Sequence, residues 1–68
     1  MPASESSREI LFELTVVGGA VRVVAIDAAT GIEVSIMGPV TAPRAALQRI
    51  ALQKLERRLT KAGEAGRR

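Results

Sequence analysis

With 68 residues, the chain has room for one domain. It contains neither cysteine nor histidine, which excludes disulfide staples and leaves a structural zinc site without its usual ligands. Below about 70–80 residues a single core rarely supplies more than ~3–5 kcal/mol, so an efficient apolar core or a partner chain is required, and self-association is the expected solution.

The net charge of +3 conceals an asymmetry. Residues 1–40 carry two basic side chains against five acidic ones, whereas residues 41–68 carry eight against two. An acidic first part is joined to a strongly basic second part. Residues 1–8 are polar and read as a disordered lead-in, residues 9–62 as the domain, and residues 63–68 as a flexible basic tail. Met1–Arg8 lacks the charged start and apolar run of a secretion signal. No apolar stretch approaches the ~20 residues that cross a bilayer. A cytoplasmic protein without membrane contact is expected.

The segment from Ile10 to Val17 is rich in β-branched and large apolar residues and predicts a strand. Gly18-Gly19 predicts a two-residue hairpin turn in which both glycines take positive φ. Val21–Ile26 is the returning strand. Asp27–Gly31 is a second turn, with Gly31 in its left-handed position. Ile32–Met37 alternates apolar and polar residues as a third strand, and Gly38-Pro39 ends the sheet. A turn at Gly18-Gly19 pairs Val17 with Ala20, hence Val16 with Val21, Leu14 with Val23 and Phe12 with Ala25. A turn over residues 28–31 pairs Asp27 with Ile32 and adds Val34 and Ile36 to the same apolar face. A slip by one residue would turn each strand over, so turn chemistry and apolar pattern agree on one register.

Thr41 is placed as a helix N-cap and Pro43 in the first turn, where a missing N–H costs nothing. From Ala45 to Lys61 the residues follow helical spacing, and Gly63 marks the stop. At 100° per residue Leu47, Ala51, Leu52, Leu55, Leu59 and Ala62 share one arc, with Arg49, Gln53, Glu56, Arg57 and Lys61 opposite. The stripe must cover the apolar sheet face, which gives an α+β fold: a three-stranded antiparallel meander followed by one C-terminal helix, β-β-β-α.

Two surfaces stand out. The second sheet face carries Leu11, Val17, Val24, Ile26 and Met37 among Glu13, Thr15, Arg22, Glu33 and Ser35, and is more apolar than a solvated face. Scattered surface hydrophobes are common on monomers; the alternative is a candidate protein interface. The first strand is also a long edge without Pro or Lys, open to pairing with another chain. The second surface is basic: Arg49, Lys54, Arg57 and Lys61 form a candidate nucleic-acid or acidic-partner face, against the plain reading of a solvated helix face that keeps a small protein soluble. Ile50 stands off the apolar arc among basic residues as a possible contact point. Phe12 is the one aromatic residue and faces the core, which argues against base stacking. The basic, alanine-rich helix is similar in character to the closing helix of double-stranded RNA-binding domains, but residues 38–44 lack that family's glycine-serine-lysine-lysine lead into the helix.

Catalysis is not expected. His, Cys and Tyr are absent, which removes the commonest general base and the strongest ordinary nucleophile. Glu13 and Glu33 share a sheet face but stand on the two outer strands, two pair positions out of line. No cofactor, metal or small-molecule substrate is indicated.

Ile10–Leu14, Val21–Val34 and Ala45–Leu55 resemble a group of short uncharacterised alphaproteobacterial proteins classed only as a domain of unknown function. The resemblance covers roughly residues 9–60 and implies a bacterial, cytoplasmic origin. It implies no activity, cofactor or catalytic residue. The expectation is therefore a small non-enzymatic interaction or assembly module, a homodimer before any higher oligomer, joined by the uncovered sheet face or the first-strand edge. The alternative is an accessory nucleic-acid-binding protein.

Overall fold

The computed structural model describes residues 9–66. The lead-in at residues 1–8 and the last two residues of the expected tail lie outside them. Three antiparallel strands, β1 (Ile10–Val17), β2 (Ala20–Asp27) and β3 (Glu33–Pro39), form one open sheet in the order β1-β2-β3, followed by helix α1 (Arg44–Gly66). The expected β-β-β-α architecture is the observed one.

The register agrees pair for pair. Val16 faces Val21, Leu14 faces Val23 and Phe12 faces Ala25. Ala25 in turn faces Val34, and Val23 faces Ile36. The first turn differs in detail. Only Gly18 has positive φ, at 61°, so the hairpin takes the turn type that demands a left-handed residue at its first central position alone. In the second turn Gly31 has φ of 78° as expected.

That second turn is also pinned by a side chain. Asp27 is fully buried, and its Oδ2 accepts hydrogen bonds from the Thr30 backbone N–H at 3.2 Å and the Thr30 hydroxyl at 2.7 Å. The Ile32 N–H donates to the same hydroxyl oxygen at 3.2 Å. The Asp27 backbone N–H donates to the Ile32 carbonyl at 2.9 Å, which starts the β2–β3 ladder. Turn and register are thus locked by one acidic residue.

Gly38-Pro39 ends the sheet as expected, but from within it: they are the last two residues of β3 and pair with Val21 and Ala20. A Cβ at Gly38 would run into one terminal methyl of Leu47, so that side chain would have to shift to admit it. Pro39 is tolerated because it lies at the end of an edge strand, where its nitrogen has no ladder bond to lose.

The helix begins at Arg44, and the N–H groups of Ala46 and Leu47 both donate to the Pro43 carbonyl. Pro43, not Thr41, therefore supplies the first helical acceptor. The helix also runs through Gly63 to Gly66, since one glycine costs only about 1 kcal/mol in a helix interior. Its 23 residues make a rod of about 34 Å at 1.5 Å per residue, longer than the strands it packs on. Leu47, Ala51 and Leu55 enter the core with Val21, Val23, Ala25 and Val34. Each larger side chain of that set contributes roughly 1.5–3 kcal/mol on burial. The core is narrow, because the helix packs on β2 and β3.

Candidate protein-interaction surface

The position of the helix divides the sheet unequally. Lys54 sits on the helix flank over β3, where its Nζ donates to the Ser35 carbonyl at 2.9 Å. At 100° per residue the opposite flank, with Gln48, Leu52 and Leu59, must overlook β1. Beneath that flank Phe12 and Leu14 are only half-buried and Val16 is 54% exposed, whereas their partners Val21, Val23 and Ala25 are sealed. The expectation that the helix covers the whole apolar face is corrected: it covers two strands of three, because one helix about 10 Å wide spans little more than two strands spaced ~4.8 Å apart.

Backbone parity compounds this exposure. The Ala28 N–H donates to the Glu9 carbonyl, which makes the odd-numbered residues of β1 the ones that bond β2. In an antiparallel ladder the intervening residues turn their N–H and C=O groups the other way. Ile10, Phe12, Leu14 and Val16 therefore direct backbone donors and acceptors outward, on the side where no strand lies among the described residues. The same four residues carry the half-covered apolar side chains.

The outer edge of β3 is managed differently. There the odd-numbered residues face outward, and the Ser35 carbonyl is bonded by Lys54 while Pro39 has no N–H to offer. Lysine and proline are the ordinary means of blunting an edge strand. β1 contains neither.

The uncovered sheet face separates its expected interface residues. Val24 is buried and Ile26 half-buried, while Leu11, Val17 and Met37 are 46%, 56% and 58% exposed. Those three do not meet. Leu11 and Val17 lie six residues apart along β1, about 20 Å at ~3.4 Å per residue, and Met37 lies on β3. Between them is a hollow of about 290 Å³ lined by Glu13, Arg22, Val24, Glu33 and Ser35. Glu13 and Glu33 thus border one depression from opposite strands.

On the β3 side, Lys54, Arg57, Arg58 and Lys61 surround Val34 in a crevice of about 170 Å³. Three of the four expected basic residues meet there. Arg49 does not line it, and Arg58 joins it unforeseen, although at 100° per residue it falls between Leu47 and Ala51 on the sheet-facing arc, the signal that could have found it. Ile50, 50% exposed, stands one turn before Lys54.

The sheet and its single covering helix define a small two-layer α+β domain. The chain belongs to a family described as a domain of unknown function (DUF6898), which spans residues 7–62. No curated protein and no solved structure matches it. Among the described residues no helix is long and apolar enough to cross a membrane.

Proposed function

We propose that this protein is a small assembly module that self-associates through the edge of β1. The observation that carries the reading is the inequality of the two sheet edges: β3 is blunted by Lys54 and Pro39, while β1 offers outward backbone groups beside half-exposed Phe12, Leu14 and Val16. Pairing through the uncovered face is disfavoured by comparison. It would bury Glu13, Arg22 and Glu33, and taking charges out of water costs several kcal/mol per ion unless each finds a partner. Light scattering on the purified chain tests the reading. A mass approaching twice the 7.2 kDa chain is expected at about 100 μM, falling on dilution as mass action requires. A monomer at that concentration overturns it.

A second reading rests on the basic crevice. Lys54, Arg57, Arg58 and Lys61 converge without an acidic side chain among them, and an anion such as a nucleic-acid phosphate would neutralise that cluster. Fluorescence anisotropy with a labelled duplex tests it. Binding that weakens steeply with salt and is lost in the Arg57→Glu/Lys61→Glu double variant supports it; no salt-dependent binding removes it.

A further inference from the structure

On the strength of that assembly reading, we infer that β1 pairs with β1 of a second copy, antiparallel, about a two-fold axis through Leu14. The joint makes one six-stranded sheet with both helices on the same face.

Symmetry leaves two ways to join identical edges. An axis along the strands gives parallel pairing with helices on opposite faces, so the apolar row of Phe12, Leu14 and Val16 would continue into the odd-numbered row of the other copy. An axis normal to the sheet gives antiparallel pairing and keeps all even-numbered residues on the helix side. The second arrangement joins apolar to apolar along one continuous sheet face.

Backbone parity then limits the register. Only even-numbered residues direct their N–H and C=O groups outward, so each must oppose an even-numbered residue of the second copy. Two registers pair seven of the eight residues of β1, with the axis at Glu13 or Leu14, whereas an axis at Phe12 or Thr15 pairs five. An axis at Glu13 sets the two Glu13 carboxylates directly opposite each other, which is destabilising. An axis at Phe12 sets Leu11 against Glu13 and carries Val16 and Val17 past the end of the partner strand. An axis at Leu14 leaves no mismatch. Leu14 meets Leu14, Phe12 meets Val16, Leu11 meets Val17 and Glu13 meets Thr15 of the second copy. Leu11, Val16 and Val17, half of the large hydrophobic residues exposed among the described residues, each gain an apolar neighbour. Phe12–Val16, Leu14–Leu14 and Val16–Phe12 each exchange two backbone bonds, on the order of six hydrogen bonds in all.

The absence of cysteine makes single-cysteine crosslinking a clean test. Opposed residues of a hydrogen-bonded pair have Cα atoms about 5.5 Å apart, inside the ~4.4–6.8 Å that a disulfide spans. Leu14→Cys is expected to oxidise to a species of twice the chain mass on a non-reducing gel. A mixture of Phe12→Cys and Val16→Cys chains should give the mixed dimer, an arm that holds if Leu14→Cys fails to fold. Phe12→Cys alone and Glu13→Cys alone should stay monomeric on the gel. Self-crosslinking of Phe12→Cys or Glu13→Cys, in chains that scatter as dimers, overturns the register and leaves edge association standing. Self-crosslinking of Met37→Cys with none from Leu14→Cys or the mixture overturns both, because it places the contact on the uncovered face.

Discussion

At Gly38 a single added carbon atom would force a neighbour to move. Its missing Cβ makes room for the Leu47 methyls, and Leu47 is itself buried between sheet and helix. Gly38→Ala should lower stability by about 1 kcal/mol, the low end of overpacking a core because only a leucine methyl has to give way, read as a reduced midpoint in urea. Asp27 and Thr30 form a second such unit. Their two hydrogen bonds couple the turn to the strand end, so Asp27→Ala should cost roughly 2–3 kcal/mol given the strength of bonds to a charged acceptor. Thr30→Val should cost less, and the double variant should cost less than the two single losses added, which a double-mutant cycle measures. These residues also show where sequence reading stops. Asp27 reads as a turn residue because aspartate favours turns, yet its complete burial depends on packing from elements distant in the chain. Lys54 reads as one member of a basic face, since helical spacing says nothing about the carbonyl of Ser35 nineteen residues away.

Among the elements, β1 and β3 are the informative pair. Both are edges, but only β1 is unguarded. Val16 and Val17 are adjacent on it, almost equally exposed, and point to opposite faces. The substitutions Val16→Lys and Val17→Lys thus add the same charge at matched exposure. Val16→Lys should weaken self-association at least tenfold in dissociation constant, about 1.4 kcal/mol, because it charges the helix-side row at the joint. Val17→Lys should weaken it less; sedimentation velocity over a dilution series measures both. The strands themselves were legible because the turns and the apolar alternation independently require the same register, and agreement of that kind leaves little freedom. Element ends were less legible. Gly38-Pro39 stops β3 two residues later than the expected strand end, and the stop signal of Gly63 is overridden by a run dominated by good helix formers from Ala45 to Lys61 ahead of it.

Taken whole, the molecule is a thin slab of 41 × 30 × 16 Å with a radius of gyration of 13.6 Å, against about 11 Å for a compact chain of this length. Two layers and a core centred on β2 leave it short of buried area, a shortfall that the proposed second copy across β1 would reduce. The length and the absence of cysteine make a partner a reasonable expectation from sequence, but the choice of surface required the offset of the helix, which no periodicity encodes. Opening the β3 edge should extend the assembly beyond a dimer. Lys54→Met frees the Ser35 carbonyl, so dimers gain a second sticky edge and should form larger species on concentration, visible as rising scattered mass. The most direct measurement is amide hydrogen exchange along β1 as the chain is diluted. At association-competent concentration the outward amides of Phe12, Leu14 and Val16 should be protected comparably to the inward amides of Leu11, Glu13 and Thr15, and dilution should strip protection from the outward set first. Rapid exchange at Phe12, Leu14 and Val16, in a sample that scatters as a dimer and keeps its inward amides protected, would contradict edge pairing.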